Sequence, residues 1–532
     1  MSDHQSPVLA PACGLILSPR IRQILTSQAQ ETYAETIEAL KKDVSRMLMS
    51  TSSSGELIKL IDTIERLGLA YHFEAEIEEK IEQIYNIHDG DENYDLFTTA
   101  LQFRLLRQHQ YHVSCDVFDD ILKDKENKFK ESVSSDVEGL LSLYETAHVR
   151  IHGEDILEEA FKFTTHHLTR MMPQLESPLK DKVKRALEQP YHRGIPIFEA
   201  RVYIFIYEKD GSRDELLLKL AKVNFNYLQN LYKKEIFELS RWWDKFDLKS
   251  KLPYARDRLI ECYLIGASFH FEPQYSDARI SFAKTCKMMT VMDDTYDNYA
   301  TLEEAQLFTD ILERWDMEEI DRLPDYMKVV YRFIMSVYED YECNATKYDK
   351  SFALPYYREI FAGAYNQELK WVMERQIPSF EDFMKNSVIS CGLHLMLMPT
   401  VPSIKSWTKE NIDWLMSDPQ IVVCTALLAR FIDDVSTHER GTMLTPLDYY
   451  MKQYGVSNKQ EAVSLLAELI EDKWKSMNKE WVMTSMIPKE IVVELFNCAR
   501  AAEVMFKKFE DGITYPEKAL ASQIVATFVD PI

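Results

Sequence analysis

The sequence predicts an all-α protein. Three observations carry that reading. Glycine is scarce, with 14 residues among 532, and proline numbers only 19. That composition argues against a turn-rich β protein or a glycine-loop nucleotide binder, and for long helices. Apolar residues recur with the 3.6-residue period of a helix with one buried face. Period-2 alternation is scarce, and its nearest instance, Arg201–Tyr207, sits equally well on a helix.

The elements follow in order. Residues 1–20 contain Pro7, Pro11 and Pro19 and read as irregular, whereas from Ser27 onward the pattern is helical. Within Glu56–Leu67, Leu57, Ile58, Leu60, Ile61, Ile64 and Leu67 form one apolar face. Phe73–Ile87, Asp95–Gln108, Ser135–His148 and Gly153–Leu168 repeat the pattern. Ser134-Ser135-Asp136 and Ser417-Asp418-Pro419 are helix-start signals, the latter preceding Gln420–Asp434. Gly211-Ser212 is the clearest internal turn, and the long helical pattern Glu215–Lys233 follows it. The length allows two to four domains. The turn places a boundary near 215, giving domains 1–215 and 216–532.

Charge and cysteine usage exclude some functions. The chain has 62 basic and 86 acidic residues, a net charge of −24. This disfavours nucleic acid or an anionic membrane as partner, but allows an anionic substrate where local arginines or metal ions reverse the field. The eight cysteines are scattered without a CxxC or Cys/His pairing, so free, buried thiols in a reducing compartment are expected. No apolar run approaches the roughly 18 residues of a membrane span. Residues 1–20 lack the basic and apolar regions of a signal peptide and are poor in arginine for a transit peptide. A cytoplasmic protein without membrane insertion is the expectation.

The most informative stretch is Asp293-Asp294-Thr295-Tyr296-Asp297, which closes the largely apolar run Ile280–Met292. On a helix, Asp293 and Asp297 are i,i+4 neighbours, and Asp294 and Asp297 are i,i+3 neighbours. Three like charges on one patch repel, and a hard divalent cation offsets that repulsion. Mg²⁺ takes oxygen ligands and commonly joins one or two carboxylates to substrate phosphates. A second cluster, Arg430-Phe431-Ile432-Asp433-Asp434-Val435-Ser436-Thr437, closes a second apolar run, Ile421–Ile432. Asp433 and Thr437 are i,i+4, and Arg430 lies one turn before Asp433 on the same face. Arg256-Asp257-Arg258 supplies two guanidiniums that can reach one anion from a loop or helix end. Trp242-Trp243 reads as a packing anchor and Asp511-Gly512 as a turn.

Over roughly residues 28–532 the chain resembles plant terpene synthases of the flowering-plant sesquiterpene type. The resemblance is carried by YHFEAEIEEKIEQIY (71–85), LFTTALQFRLLRQH (96–109), HGEDILEEAFKFTT (152–165), SRWWDKFDL (240–248), KLPYARDRLIECY (251–263), FEPQYSDAR (271–279), DDTYD (293–297), ERWD (313–316), LPDYMK (323–328) and YMKQYG (450–455). It implies an N-terminal α-helical barrel without its own active site and a C-terminal class I terpenoid cyclase bundle. By motif match, Asp293 and Asp297 ligate Mg²⁺ with Asp294 in support, and Asp433 and Thr437 belong to the second metal motif; Glu439 is the acid nearest to that motif's missing third ligand. Arg256, Arg258 and Arg430 follow the leaving diphosphate, and Asp511 matches a family acid. The implied chemistry is ionisation and cyclisation of farnesyl diphosphate by a monomer holding three Mg²⁺ ions, with Mn²⁺ as a substitute.

Four departures stand out. The Glu expected eight residues after Asp433 is Gly441, and the segment before YMKQYG is about four residues short. Glu439, at i+6, points about 120° from Asp433 on an α-helix. The family's N-terminal Arg-Arg…Trp segment is not recognisable in residues 1–27. Its cavity-wall Trp is Ile265 here. The tyrosines flanking its acid are Phe506 and Ile513. The second metal motif therefore leaves open an alternative, a weakened or non-catalytic paralogue that binds prenyl diphosphate. A helical scaffold with no small-molecule site fits the three charged motifs poorly.

Overall fold

A computed structural model describes residues 27–86, 94–126, 128–315, 317–360, 370–371, 374, 378–437, 451–453, 455, 458–484 and 486–532. Regular structure among them is helical, apart from one bridge pairing Lys123 with Phe129. The helices of ten residues or more are numbered here in chain order. The chain forms two compact units. One runs through Asn230 and takes in Lys475–Met486 and Asp530–Ile532; the other comprises Leu231–Trp474 and Ile487–Val529.

The first unit contains α1 (Ser27–Ser50), α2 (Ser54–Arg66), α3 (Glu74–Asn86), α4 (Leu96–Gln108), α5 (Val137–Ala147), α6 (Asp155–Met171), α7 (Leu179–Glu188) and α8 (Pro196–Glu208). Short polar side chains start these helices as their types predict. The Asp95 carboxylate accepts from the Thr98 N–H at 2.8 Å, and Asp136 accepts from Gly139 at 2.9 Å. Helix α5 packs between α4 and α6, burying Phe103, Leu140, Leu143, Leu157 and Ala160. Each such large side chain contributes about 1.5–3 kcal/mol on leaving water. Arg201–Tyr207 lies within α8 and not in a strand.

Helix α9 (Glu215–Asp244) begins where the sequence turn ends, but the division between units falls at Asn230–Leu231, inside it. The turn marks the end of α8, whereas the apolar face of α9 runs on through the division, with Leu217 and Leu220 buried before it and Tyr232, Ile236 and Leu239 after. The sequence also gives no sign that two late segments join the first unit. Asn478 donates to the carbonyls of His148 and Arg150 at 3.0 and 2.9 Å, and Ile532 pairs with Asn226.

The second unit contains α10 (Leu259–Phe269), α11 (Ser276–Asn298), α12 (Leu302–Arg314), α13 (Asp325–Lys347), α14 (Phe380–Ser390), α15 (Gln420–Thr437), most of α16 (Lys459–Met483), and α17 (Lys489–Met505). Helix α10 packs on α11 and α17, α11 on α13, and α15 on α17 and α14. A buried bidentate pair fixes α11 early: Arg279 meets Glu235 at 2.7 and 2.9 Å, and Tyr263 donates to the same carboxylate at 2.8 Å. The seven described cysteines are free, with Cys262, Cys424 and Cys498 buried. Among the described residues no single helix is long and apolar enough to cross a membrane.

Candidate active site

The site is built on the C-terminal end of α11. Burial of Val291 and Met292 fixes the rotation of the helix and leaves Asp293 with a side chain 40% exposed, while Asp294 is buried. The segment before α10 lies against this end. Tyr254 bonds Thr295 at 3.1 Å and stacks on Tyr299 at 4.2 Å, and Tyr299 meets Tyr326 edge-on at 4.8 Å. Burial pushes the Tyr254 hydroxyl up to about 12, so it stays a donor at neutral pH.

Two residues on, Arg256 closes on both aspartates. Its backbone N–H and Nε donate to the two oxygens of Asp294 at 2.8 and 2.7 Å, and Nη2 donates to Asp293 at 3.0 Å. Nη1 donates to the Thr514 hydroxyl at 3.2 Å. Arg258 behaves differently. Its Nε, Nη2 and Nη1 donate to the carbonyls of Ile513, Thr514 and Asp257 at 2.8, 2.9 and 2.8 Å, and it is buried. The two arginines therefore do not converge on one point. Asp511 folds the turn that receives them, accepting from the N–H groups of Ile513 and Thr514 at 3.1 and 2.8 Å.

On α15, the Arg430 Nε donates to Asp434, one helical turn on, and the guanidinium lies 5.7 Å over the Phe383 ring. Asp434 is buried, and Asp433 is half-buried on the same turn. Arg430 thus meets Asp434 at i,i+4, and Asp433, at i,i+3, lies on the same turn. The side chains of Asp297 and Thr437 lie outside the described residues, as do Glu439 and Gly441. Among the described residues no group of three His, Cys, Asp or Glu side chains is gathered as a metal site.

Other sequence features take structural roles. Trp242 and Trp243 pack against Phe333 at 5.7 Å each. Ile265 is half-buried on α10. Glu261, also on α10, has its carboxyl raised to about 7 by burial, against the opposing pull of Arg258. Two residues escaped sequence reasoning. Thr514 is distant in sequence from Arg256 and carries no motif. Lys287 is a buried lysine inside the apolar run of α11 whose ammonium donates to the Arg256 carbonyl. A charge on a core-facing helix position was the available signal.

At each of two helix ends, those of α11 and α15, carboxylates are met by an arginine. Residues 244–476 match the profile described as "Terpene synthase family, metal binding domain", and residues 15–187 match "Terpene synthase, N-terminal domain". The chain belongs to the terpene synthase family. This terpene synthase is 55% identical to gamma-cadinene synthase of Ocimum basilicum, over 100% of the chain and 99% of the relative. It is 52% identical to gamma-curcumene synthase of Pogostemon cablin, over 100% and 98%. Its fold superposes on isoprene synthase from grey poplar leaves in complex with three Mg²⁺ ions and dimethylallyl-S-thiolodiphosphate. The TM-score is 0.88 at 33% identity, covering 94% of this chain and 97% of that one. The enzyme thus has the all-α terpene synthase fold and carries the family's metal-binding domain.

Proposed function

We propose that this terpene synthase is a sesquiterpene synthase that ionises farnesyl diphosphate and cyclises the allylic cation, releasing diphosphate. The observation that carries the proposal is the junction of Arg256 with Asp293 and Asp294 at the open end of α11. The whole-length relatives, named for fifteen-carbon products, support the choice of substrate.

The donor set fits a hard divalent cation. Asp293 offers a partly exposed carboxylate at a helix end, and Asp433 another on α15. Asp293, Asp297, Asp433 and Thr437 would hold Mg²⁺, with Asp294 in support and Glu439 substituting in the second motif; three ions would match the isoprene synthase complex. When bound, Mg²⁺ supplies charge stabilisation for the departing diphosphate. Arg256 and Arg430 face the same anion, and each already lies against an acid of its cluster. Arg258 and Asp511 hold the 511–514 turn and so place Thr514 beside Arg256. The reaction belongs to residues 216–532, and residues 1–215 have no active site of their own. The carbocation finally loses a proton, for which released diphosphate is the available base.

Incubating the purified protein with farnesyl diphosphate and Mg²⁺ and reading volatiles by mass spectrometry tests this. Fifteen-carbon cyclic products are expected. Turnover of geranyl but not farnesyl diphosphate would overturn the substrate, and no turnover of either would overturn the reaction.

A further inference from the structure

We propose that Lys287 is a positioning residue for ionisation, holding the Arg256 peptide so that its guanidinium meets Asp293 and Asp294. The inference deepens the reading of Arg256 as a diphosphate-facing residue and rests on it.

Lys287 and Asp294 are seven residues apart on α11, two turns along one face. Between them lies residue 256. The Asp294 carboxylate takes the Arg256 N–H at 2.8 Å, and the Lys287 ammonium donates to the carbonyl of the same residue. One helix face thus grips both polar groups of a single residue in a segment with no helical hydrogen bonds of its own. With the backbone pinned, the Arg256 side chain is directed at Asp294 and Asp293.

Packing alone does not call for a lysine here. Lys287 is fully buried, and a buried ammonium costs free energy unless it is well partnered. Its ammonium lies 4.4 Å from the centre of the Trp243 ring, whose face stabilises the charge. An apolar side chain of the same length would fill the space without that cost. What it would not supply is the hydrogen bond to the Arg256 carbonyl.

The test measures affinity for inorganic diphosphate in saturating Mg²⁺, kcat and KM with farnesyl diphosphate, and thermal midpoint. Wild type, Lys287→Met, Arg256→Ala and the double variant are compared, with Lys287→Gln as a smaller change. Lys287→Met is expected to weaken diphosphate binding about tenfold, the worth of one charged hydrogen bond. Lys287→Gln should fall between it and wild type. In the Arg256→Ala background Lys287→Met should add less than about twofold, because it acts through Arg256. Unchanged diphosphate affinity in Lys287→Met, beside weakened binding in Arg256→Ala, would overturn the inference alone. So would effects that multiply in the double variant, or failure of both Lys287 variants to fold, since each marks a purely structural role. If Arg256→Ala itself binds diphosphate as wild type does, the leaving-group reading fails and the inference falls with it.

Discussion

Two charged regions, one in each unit, are built differently. In the first, a cavity of about 120 Å³ is lined by Asp62, Arg66, Arg104, Glu145, Arg185 and Glu199 among others. There the charges close on one another: Arg66 meets Asp62 at 3.0 Å, Arg104 joins the same aspartate, and Arg185 forks onto Glu199. In the second, the sequence gathers Asp293, Asp294, Asp297, Asp433 and Asp434 at two helix ends, where Arg256 meets Asp293 and Asp294 and Arg430 meets Asp434. Balanced buried charge fixes a shape. Carboxylates gathered at helix ends, with Asp293 still partly exposed, are of the type that a hard divalent cation takes as ligands.

Paired substitutions can break the comparison. Asp293→Asn should lower turnover by at least about two orders of magnitude, as loss of a charge-stabilising group typically does, with the fold intact. Wild-type turnover at saturating Mg²⁺ would remove Asp293 from the site. Arg185→Met, in the first unit, strands the buried Glu199. It should cost about 3 kcal/mol in urea unfolding while kcat of the folded enzyme stays unchanged.

Two buried groups, one in each unit, should respond oppositely to pH. Burial holds the His72 imidazole down to about 4. The folded state favours its neutral form, so this group lowers stability as pH falls from about 6.5 towards 4. Burial raises Glu261 to about 7. Its neutral form is favoured, so that contribution is full below the ordinary carboxylate range and disappears as pH rises through 7. Glu261→Gln should therefore gain about 1–3 kcal/mol at pH 8 and nothing at pH 4. Urea unfolding of wild type and Glu261→Gln across this range checks the Glu261 trend.

Smaller effects sharpen the account within the second unit. Arg256→Ala and Arg430→Ala should each weaken binding of inorganic diphosphate about tenfold, with Arg430 hit harder because it shares a turn with Asp433. Titration calorimetry on both variants decides this. Smallest is the shortened second motif. Glu439→Gln should raise the Mg²⁺ needed for half-maximal activity a few-fold if Glu439 has taken the ligand role. Restoring four residues after Glu439, so that a Glu falls eight positions after Asp433, should lower it. Silence in both experiments would mean that the third ligand is dispensable or comes from elsewhere.

Local patterns were legible where one helix carries them. The helical runs Asp95–Gln108 and Ser135–His148, the start signal at Asp136 and the acidic end of α11 follow from periodicity and residue type. What sequence could not give is the meeting of distant segments. Thr514 reaches Arg256 through a turn that Asp511 builds, and Arg258 spends its donors on that turn's carbonyls. Spacing alone does not give the Arg430–Asp434 contact, because i,i+3 and i,i+4 neighbours share a face. The compact units divide inside α9, away from the Gly211-Ser212 turn, because a turn reports where a helix ends and not where a core does.

The central claim is that the acid-rich helix ends bind diphosphate only together with a divalent cation. Calorimetric titration of inorganic diphosphate into the full-length protein, in Mg²⁺ and then in excess chelator, tests it most directly. Tight binding in Mg²⁺ that is lost in chelator, and lost again in Asp293→Asn with Mg²⁺ present, is the predicted result. Equal affinity with and without Mg²⁺ would contradict the account.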